Sequence, residues 1–315
     1  MENLLFSYAD PTQPAVKRKL IQLIEGATGQ RKLKRIYLDH RQGSAGESFW
    51  SSAIRRLAID VRVDWAALDR IPKTGPVVVV ANHPYGVLDG IAIAWLVERS
   101  RPDFLILTHA ALLRAPEART HLLAIDFSET PEALQTNIES RARARQHLEA
   151  GGCLVVFPAG AVSTAPDRLG RLPAIDALWR PFTAQLIQRA KATVVPVYFD
   201  GQNSRVFQIA SHLSQTLRLS LIFHEVKKRI GTALPVVVGE PIGFDELDGI
   251  KDRHTLVEHL MARTYALKRL LPEQPSQRRF AGRLAAVATD QLREKARRIR
   301  TLARRGRRSA QPRPR

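Results

Sequence analysis

The stretch "VVVVANHPYGVLDGIAIAWL", residues 77 to 96, joins two apolar runs through a short polar segment. The valine run ends just before His83, and Asp89 follows six residues later at the start of the second run. Pro84 and Gly86 favour a turn between the two runs. The stretch therefore predicts a buried strand, a tight turn and a buried helix, with an imidazole and a carboxylate at the corner.

The corner formed by His83 and Asp89 permits two interpretations. A carboxylate in the first turn of a helix is favoured by the helix dipole, and it can hold one imidazole nitrogen and orient the ring for proton transfer. The alternative is structural, with an aspartate that starts a helix and a buried histidine bonded to backbone. The spacing alone leaves both interpretations open.

Short apolar runs like the first one recur along the chain and alternate with helix-like segments. The apolar runs are 76–82, 104–109, 122–127, 152–158, 193–199 and 235–242, and the helix-like segments are 88–99, 130–149, 176–191, 204–229 and 253–271. Strands that are apolar on both faces and alternate with helices are typical of parallel sheets. The pattern predicts an α/β fold with a largely parallel central sheet, covered by helices on both faces.

The flanking segments differ from this alternating part. Residues 14–42 and 48–62 look helical and amphipathic, and "LPEQPS" at 271–276 favours a boundary. We therefore predict an N-terminal helical segment over 1–69 that packs on the core, an α/β domain over 70–271, and a basic C-terminal tail over 272–315 that is helical or disordered.

The net charge of +19 comes from 49 basic and 30 acidic residues, and +12 of it falls within residues 278–315. Such a tail attracts polyanions, either phospholipid surfaces or nucleic acid. Its apolar residues recur at helical spacing, so a basic amphipathic helix on an anionic membrane is expected. Arg297, Arg298, Arg304 and Arg305 are the predicted membrane contacts.

Several protein classes are disfavoured by the composition. The single cysteine, Cys153, excludes an internal disulfide, and neither a signal peptide nor an apolar run of about 18 residues occurs. Nucleotide-binding loops and metal-ligand spacings are absent, so neither a cofactor nor a metal is predicted. We expect a cytoplasmic protein, peripheral on the inner face of the cell membrane.

Two further corners follow predicted strands. "FPAGAVST" at 157–164 is a glycine-containing loop whose backbone N–H groups can donate to a phosphate or an oxyanion. Arg168, Arg171 and Arg180 follow it and are candidates to pair with an anion, or are simply solvated surface arginines. "VVPVYFDGQNSR" at 194–205 is ordinary turn and cap chemistry, so a structural role is expected there.

Taken in order, three motifs resemble the glycerophospholipid acyltransferase superfamily. They are N-H-P-x-G-x-x-D-G at 82–90, F-P-x-G-x-x-S at 157–163, and V-P-V followed by G-Q-N-S within 195–204. The likeness spans about residues 20–245 and is strongest to the bacterial hemolysin-like, lysophosphatidate acyltransferase-like branch.

The resemblance implies an acyltransferase that moves a fatty acyl group from acyl-CoA or acyl carrier protein to the hydroxyl of a lysolipid. It implies that His83 is the general base and Asp89 its orienting partner. It also implies a substrate-binding loop, to which we add neighbouring residues at the same corners. The predicted substrate-binding residues are Asn82, Gly86, Phe157, Pro158, Ala159, Gly160, Ser163 and Arg180.

The chain departs from the better-known family pattern in two places. Five residues separate His83 from Asp89 where four are usual, and we expect the Pro84–Gly86 turn to absorb the extra one. The usual loop F-P-E-G-T-R-S has Ala159 in place of glutamate and Val162 in place of the phosphate-binding arginine. A lyso-amino-acid lipid, such as a lyso-ornithine-type lipid, is therefore the alternative acceptor to a lysophospholipid.

Two alternative hypotheses assign the chain to other functional classes of protein. A nucleic-acid-binding protein would use the basic tail, but aromatic residues are only 6% of the chain and no nucleic-acid motif occurs. A lipid-binding relative without catalysis would keep the fold, although the intact His83 and Asp89 argue against it. We expect no specific nucleic-acid partner.

Removal of residues 278–315 should lower binding to anionic vesicles, because each basic residue near such a surface contributes about 1 kcal/mol. Co-sedimentation of the full chain and the truncated chain with anionic and neutral vesicles measures this. Equal sedimentation of both chains with anionic vesicles would contradict the predicted role of the tail.

Overall fold

The computed structural model describes residues 15–16, 18–19, 21–22, 30–43, 46–126 and 130–272. The predicted tail over 272–315, with Arg297, Arg298, Arg304 and Arg305, lies outside the described residues apart from its first one. Its membrane contacts therefore stay predictions.

The centre of the fold is a sheet of seven strands. These are β1 (Asp60–Arg62), β2 (Val77–Ala81), β3 (Leu105–His109), β4 (Leu122–Ile125), β5 (Cys153–Val156), β6 (Thr193–Phe199) and β7 (Ala233–Val238). They lie in the order β1-β7-β6-β2-β5-β3-β4, and every neighbouring pair is parallel except β6 with β7. The predicted largely parallel sheet is confirmed.

Helices cover both faces of this sheet. They are α1 (Gln30–Gly43), α2 (Phe49–Arg56), α3 (Trp65–Leu68), α4 (Val87–Val97), α5 (Pro131–Glu149), α6 (Pro181–Ala190), α7 (Arg205–Leu213), α8 (Gln215–Arg229), α9 (Phe244–Leu247) and α10 (Arg253–Ala266). Short 3-10 turns occupy Ala110–Arg114, Pro116–His121 and Leu267–Leu270.

Strand β2 shows how the sequence builds the two layers. Because side chains alternate along a strand, Val77 and Val79 pack on one face with α2, α4 and α8. Val78 and Val80 pack on the other face with α5, α6 and α10. Full burial of each valine stabilises the fold by about 1.5 to 3 kcal/mol relative to an exposed side chain, so the all-apolar run is what a central, doubly covered strand requires.

The helix predicted over 48–62 is shorter than expected. It ends at Arg56, because Leu57 caps it and Ala58 has a φ of 48°, which a helix does not allow. The chain then forms β1, which pairs with β7 at the edge of the sheet. This strand has only three residues and two of them are exposed, so it carries no apolar signal.

Two other predicted helices also differ from the structure. The segment 204–229 is broken into α7 and α8 at Ser214, whose extended backbone lets its hydroxyl accept the N–H of Thr216 and start the second helix. The segment 176–191 becomes helical only at Pro181, and the preceding residues form a loop at the site described below.

Arg101 fixes the loops that lead into the central strands. Its side chain is buried and donates to the carbonyl oxygens of Pro72, Gly75 and Gly151 at 3.1, 2.9 and 2.7 Å. It also forms a two-point ion pair with Asp103, which holds the pKa of that carboxyl below its ordinary value. One guanidinium thus satisfies three carbonyl groups and one carboxylate.

Replacing Arg101 with Met should lower the free energy of unfolding by about 3 kcal/mol, because several polar groups lose their partner together. Arg62 offers a matched control, since it pairs with Asp60 on the surface with both side chains exposed. Its replacement with Met should change the free energy of unfolding by less than about 1 kcal/mol. Urea denaturation compares the variants, and equal losses would contradict the role of Arg101.

Candidate active site

The three corners predicted from the sequence meet at one edge of the sheet. Strands β5, β2 and β6 are neighbours and run parallel, so the residues after them emerge side by side. His83 follows β2, Phe157 follows β5 and Asp200 follows β6. The carboxyl edge of a parallel sheet is where such folds place their functional groups.

His83 and Asp89 are in contact at this edge. Nδ1 of His83 lies 3.1 Å from Oδ2 of Asp89, the carboxylate is fully buried, and the histidine side chain is 17% exposed. The ring is not aligned for a regular hydrogen bond with the carboxylate. Catalytic hydrogen bonds are often poorly aligned before substrate binds. Among the residues that the structure describes, none bonds Nε2, so this nitrogen is open to a ligand.

The turn absorbs the additional residue between the two side chains. Asp89 Oδ2 accepts the backbone N–H groups of Tyr85 at 2.7 Å and Gly86 at 2.9 Å. Gly86 has a φ of 81°, and a side chain there would meet Val162 at 3.1 Å. Asp89 therefore combines both interpretations of the sequence, since it shapes the turn and contacts the imidazole.

Burial is the main influence on the ionisation of Asp89. It raises the pKa of this carboxyl above its ordinary value, because a charge is poorly solvated there. The neighbouring His83 and the N–H groups of Tyr85 and Gly86 oppose that rise. A carboxylate in this setting favours a positive charge on the imidazole, which is the state that proton abstraction by the ring creates.

The loop after β5 holds the histidine from the other side. The Phe157 ring stacks on the His83 ring with centroids 4.0 Å apart. The N–H of Ser163 donates to the carbonyl oxygen of His83 at 2.8 Å, and the N–H of Gly160 donates to that of Phe157 at 2.9 Å. Two of the loop amides considered as anion donors are therefore used within the protein.

Asn82 connects the corner to β6. Its amide nitrogen donates to the carbonyl oxygen of Phe199 at 2.9 Å, and its amide oxygen accepts the N–H of the same residue at 2.7 Å. The side chain is buried, and both of its polar ends are satisfied by backbone. Its predicted contact with substrate stays a prediction.

A second buried carboxylate, Asp176, was not predicted from the sequence. Its Oδ1 accepts the Ser163 hydroxyl at 2.5 Å and the backbone N–H of His83 at 3.2 Å, and its Oδ2 accepts the Trp179 indole N–H at 2.9 Å. The hydroxyl of Tyr265 accepts the N–H of Asp176 at 2.9 Å. Asp176 thus joins the histidine corner to the Ser163 loop.

Ser163 is buried within this network. Its hydroxyl proton is donated to Asp176, so substrate binding by Ser163 stays a prediction. The sequence signal that could have identified Asp176 is weak, because an aspartate at the start of a predicted helix is usually a solvated cap. Only the packing of Trp179 and Tyr265 around it makes it part of the site.

The remaining predicted residues lie around the same loop. Pro158 and Ala159 are buried, and the Pro158 carbonyl accepts the N–H of Arg180 at 3.0 Å. Gly160 has a φ of 69° and lies against the Arg180 guanidinium, which a side chain there would contact at 3.2 Å. Arg180 is exposed. Of the three candidate arginines, it is the one that lies against the loop.

Arg168 and Arg171 are exposed. Cys153 is buried within β5, and burial raises the pKa of its thiol to about 12, which suits a core residue rather than a nucleophile. In the described part of the chain, no cluster of three or more metal-ligating side chains occurs. No helix among the described residues is long and apolar enough to cross a membrane.

Several known acyltransferases are similar to this chain. Residues 62–200 match the family model described as Acyltransferase. A lyso-glycine lipid O-acyltransferase of Bacteroides thetaiotaomicron is 25% identical over 248 residues, covering 74% of this chain and 84% of that protein. A lyso-glycine lipid O-acyltransferase of Phocaeicola vulgatus is 22% identical over 267 residues, covering 80% and 88%.

One solved structure, the 1-acyl-sn-glycerophosphate (LPA) acyltransferase PlsC from Thermotoga maritima, is 16% identical, with a TM-score of 0.44 and coverage of 86% of this chain and 88% of that chain. The family model and the curated relatives identify the protein as an acyltransferase. The family-model match over residues 62–200 and the two curated relatives support the glycerophospholipid acyltransferase superfamily that the three motifs predicted.

Burial raises the pKa of Asp176 above its ordinary value, so the folded protein holds its proton more tightly than the unfolded chain does. The stability that the protonated carboxyl contributes is complete below about pH 4 and is lost as pH rises through the raised pKa. The free energy of unfolding of the wild type relative to Asp176→Asn should therefore fall as pH rises above about 4.

Asp167→Asn provides a control of opposite sign. Backbone N–H groups of Arg171 and Leu172 lower the pKa of Asp167, so its contribution is present above the ordinary pKa and is lost as pH falls. Urea denaturation at several pH values measures both differences. A pH-independent difference for Asp176→Asn would contradict the burial of a titrating carboxyl at this position.

Proposed function

We propose that this protein is a lysolipid O-acyltransferase in which His83 is the general base and the acceptor is a lyso-amino-acid lipid. The acyl donor is a thioester, either acyl-CoA or acyl carrier protein. The observation that carries the proposal is the contact between the half-buried imidazole of His83 and the buried carboxylate of Asp89, which leaves Nε2 without a partner among the described residues at the carboxyl edge of the sheet.

The proposed reaction needs one proton carrier. Nε2 of His83 removes the proton from the lipid hydroxyl while that oxygen bonds to the thioester carbonyl carbon. The carbon–sulfur bond then breaks, and the thiolate leaves and takes the proton from the imidazolium. Asp89 stabilises the imidazolium between these two transfers. Thiolate is a good leaving group, so no acyl-enzyme is required.

An apolar groove beside the site supports a lipid substrate. It is open to solvent and lies between α1, α2, α4 and α8. Val87 and Ile91 line it from α4, the same helix that carries Asp89, and Phe223 and Val226 line it from α8. We propose that a hydrocarbon chain of a substrate occupies this groove.

The head group is inferred from the loop and from the relatives. Val162 stands where the usual family loop has its phosphate-binding arginine, which disfavours a phosphate head group. The two curated relatives are named for acylation of a lyso-glycine lipid. A lipid with an amino-acid head group and a free hydroxyl therefore fits this chain better than lysophosphatidic acid does. Membrane delivery of that lipid by the basic tail is part of the proposal.

The test uses purified full-length protein with labelled acyl-CoA or labelled acyl carrier protein. The acceptors are an N-(hydroxyacyl)glycine, a lyso-ornithine lipid and lysophosphatidic acid. The wild type should acylate the amino-acid lipids, and His83→Ala should lower the rate about 100- to 10,000-fold, which is the usual contribution of general base catalysis.

His121→Ala is the matched control. His121 is also a half-buried histidine stacked on a phenylalanine, here Phe104 with centroids 4.4 Å apart, but it precedes β4 at the opposite edge of the sheet. Its variant should retain activity per folded molecule. Wild-type activity that survives His83→Ala would reject the base assignment, and a preference for lysophosphatidic acid would reject the head-group assignment.

A further inference from the structure

Arg218 is a cation of the site that neither the sequence motifs nor the family loop indicated. It lies on α8, and its Nη2 donates a hydrogen bond to the carbonyl oxygen of Val162. Its guanidinium carbon lies 5.8 Å from the centroid of the Phe207 ring. The side chain is half-buried, so it is held in place and still reaches solvent.

The bonding of Val162 places Arg218 next to the catalytic corner. A side chain at Gly86 of the histidine turn would meet Val162 at 3.1 Å, and the next residue, Ser163, donates its N–H to the carbonyl oxygen of His83. The guanidinium is therefore bound to the loop one residue away from a direct contact with His83. The segment 157–164 contains no basic side chain of its own.

Arg218 has no acidic partner among the residues that the structure describes. Burial lowers its pKa, and no carboxylate opposes this effect. Arg101 shows the usual arrangement, because that buried guanidinium has Asp103 as its counter-ion. A desolvated guanidinium without a counter-ion is costly, and an anion that binds beside it would remove the cost.

We propose that Arg218 binds the carboxylate of the acceptor's head group and thereby sets the specificity of the site. This inference rests on the proposed acceptor class. A glycine joined to its lipid through nitrogen keeps one carboxylate, and one guanidinium can bind one carboxylate through two parallel hydrogen bonds. A guanidinium has five N–H donors, so the bond to Val162 leaves donors for the ligand.

The charge of the site favours a carboxylate over a phosphate monoester. Arg180, the other arginine at the loop, lies exposed over Gly160 rather than beside Val162. Arg229 donates to the carbonyl oxygen of Ala233 and lies over the Tyr85 ring. Of these three arginines, Arg218 is the one bonded to Val162, and its single positive charge is neutralised by one carboxylate.

The test compares an N-(hydroxyacyl)glycine with the corresponding glycinamide, which has the same chain and hydroxyl but no charge. For the wild type, kcat/KM should be about 10- to 100-fold higher with the carboxylate, the usual range for a charged hydrogen bond. Arg218→Gln should bring this ratio close to one, mainly by raising KM for the carboxylate. Arg218→Lys should give an intermediate ratio, because it keeps the charge and loses the two-point geometry.

Arg99→Gln is the matched control. Arg99 is more exposed than Arg218, but it also donates to a backbone carbonyl, that of Trp95, and lies over an aromatic ring. It follows the end of α4 that is farther from Asp89. Its variant should keep the wild-type ratio of carboxylate to glycinamide.

Binding without a donor separates failure of this inference from failure of the proposed function. Tryptophan fluorescence measures the affinity of the wild type and of Arg218→Gln for the same two lipids. Weaker binding of the carboxylate lipid by the variant supports the inference even if no acyl transfer occurs. Acylation of both lipids with equal kcat/KM by the wild type would overturn it and leave the acyltransferase function intact. Loss of lysophosphatidic acid binding alone would assign Arg218 to phosphate and also overturn it.

Discussion

The fully buried carboxylate of Asp89 is the interaction on which the site depends. One of its oxygens accepts the backbone N–H groups of Tyr85 and Gly86 and also lies within contact of the His83 ring. The same atom, Oδ2 of Asp89, therefore fixes the turn and contacts the histidine ring. Because Gly86 packs against Val162 and the His83 carbonyl binds Ser163, the position of the second loop follows from the same carboxylate.

Much of the fold could be predicted because the strongest signals are local. Strands such as β2 and β6 are continuous apolar runs, and a proline and a glycine mark the turn after β2. The pairing of His83 with Asp89 was also predictable, since the two are only six residues apart and share one turn. The ends of α2 and the break at Ser214 were not predictable, because a single residue with non-helical backbone geometry decides each of them.

The residues that were missed are joined to the site by long-range packing. Asp176 becomes part of the corner only because Trp179 and Tyr265 enclose it beside Ser163. Arg218 contacts Val162 across 56 positions of sequence, from a helix that reads as an ordinary amphipathic segment. No sequence motif marks such groups. Asp176 is part of the site because the fold buries it, and Arg218 because the fold partly buries it without an acidic partner among the described residues.

The bonding of Asn82 has a consequence for the motions of the site. Its side-chain amide bonds the backbone N–H and C=O of Phe199 as a peptide unit of a paired strand would. The hydrogen bonding between β2 and β6 therefore continues one residue beyond the end of β2. The histidine therefore begins its turn from a fixed point of the sheet rather than from a free loop. Opening of the corner at this point would break both bonds between Asn82 and Phe199, so we expect the start of the turn to open together with the core. The backbone at the start of this turn is ordered before a ligand arrives, so ligand binding does not have to supply the energy of ordering it.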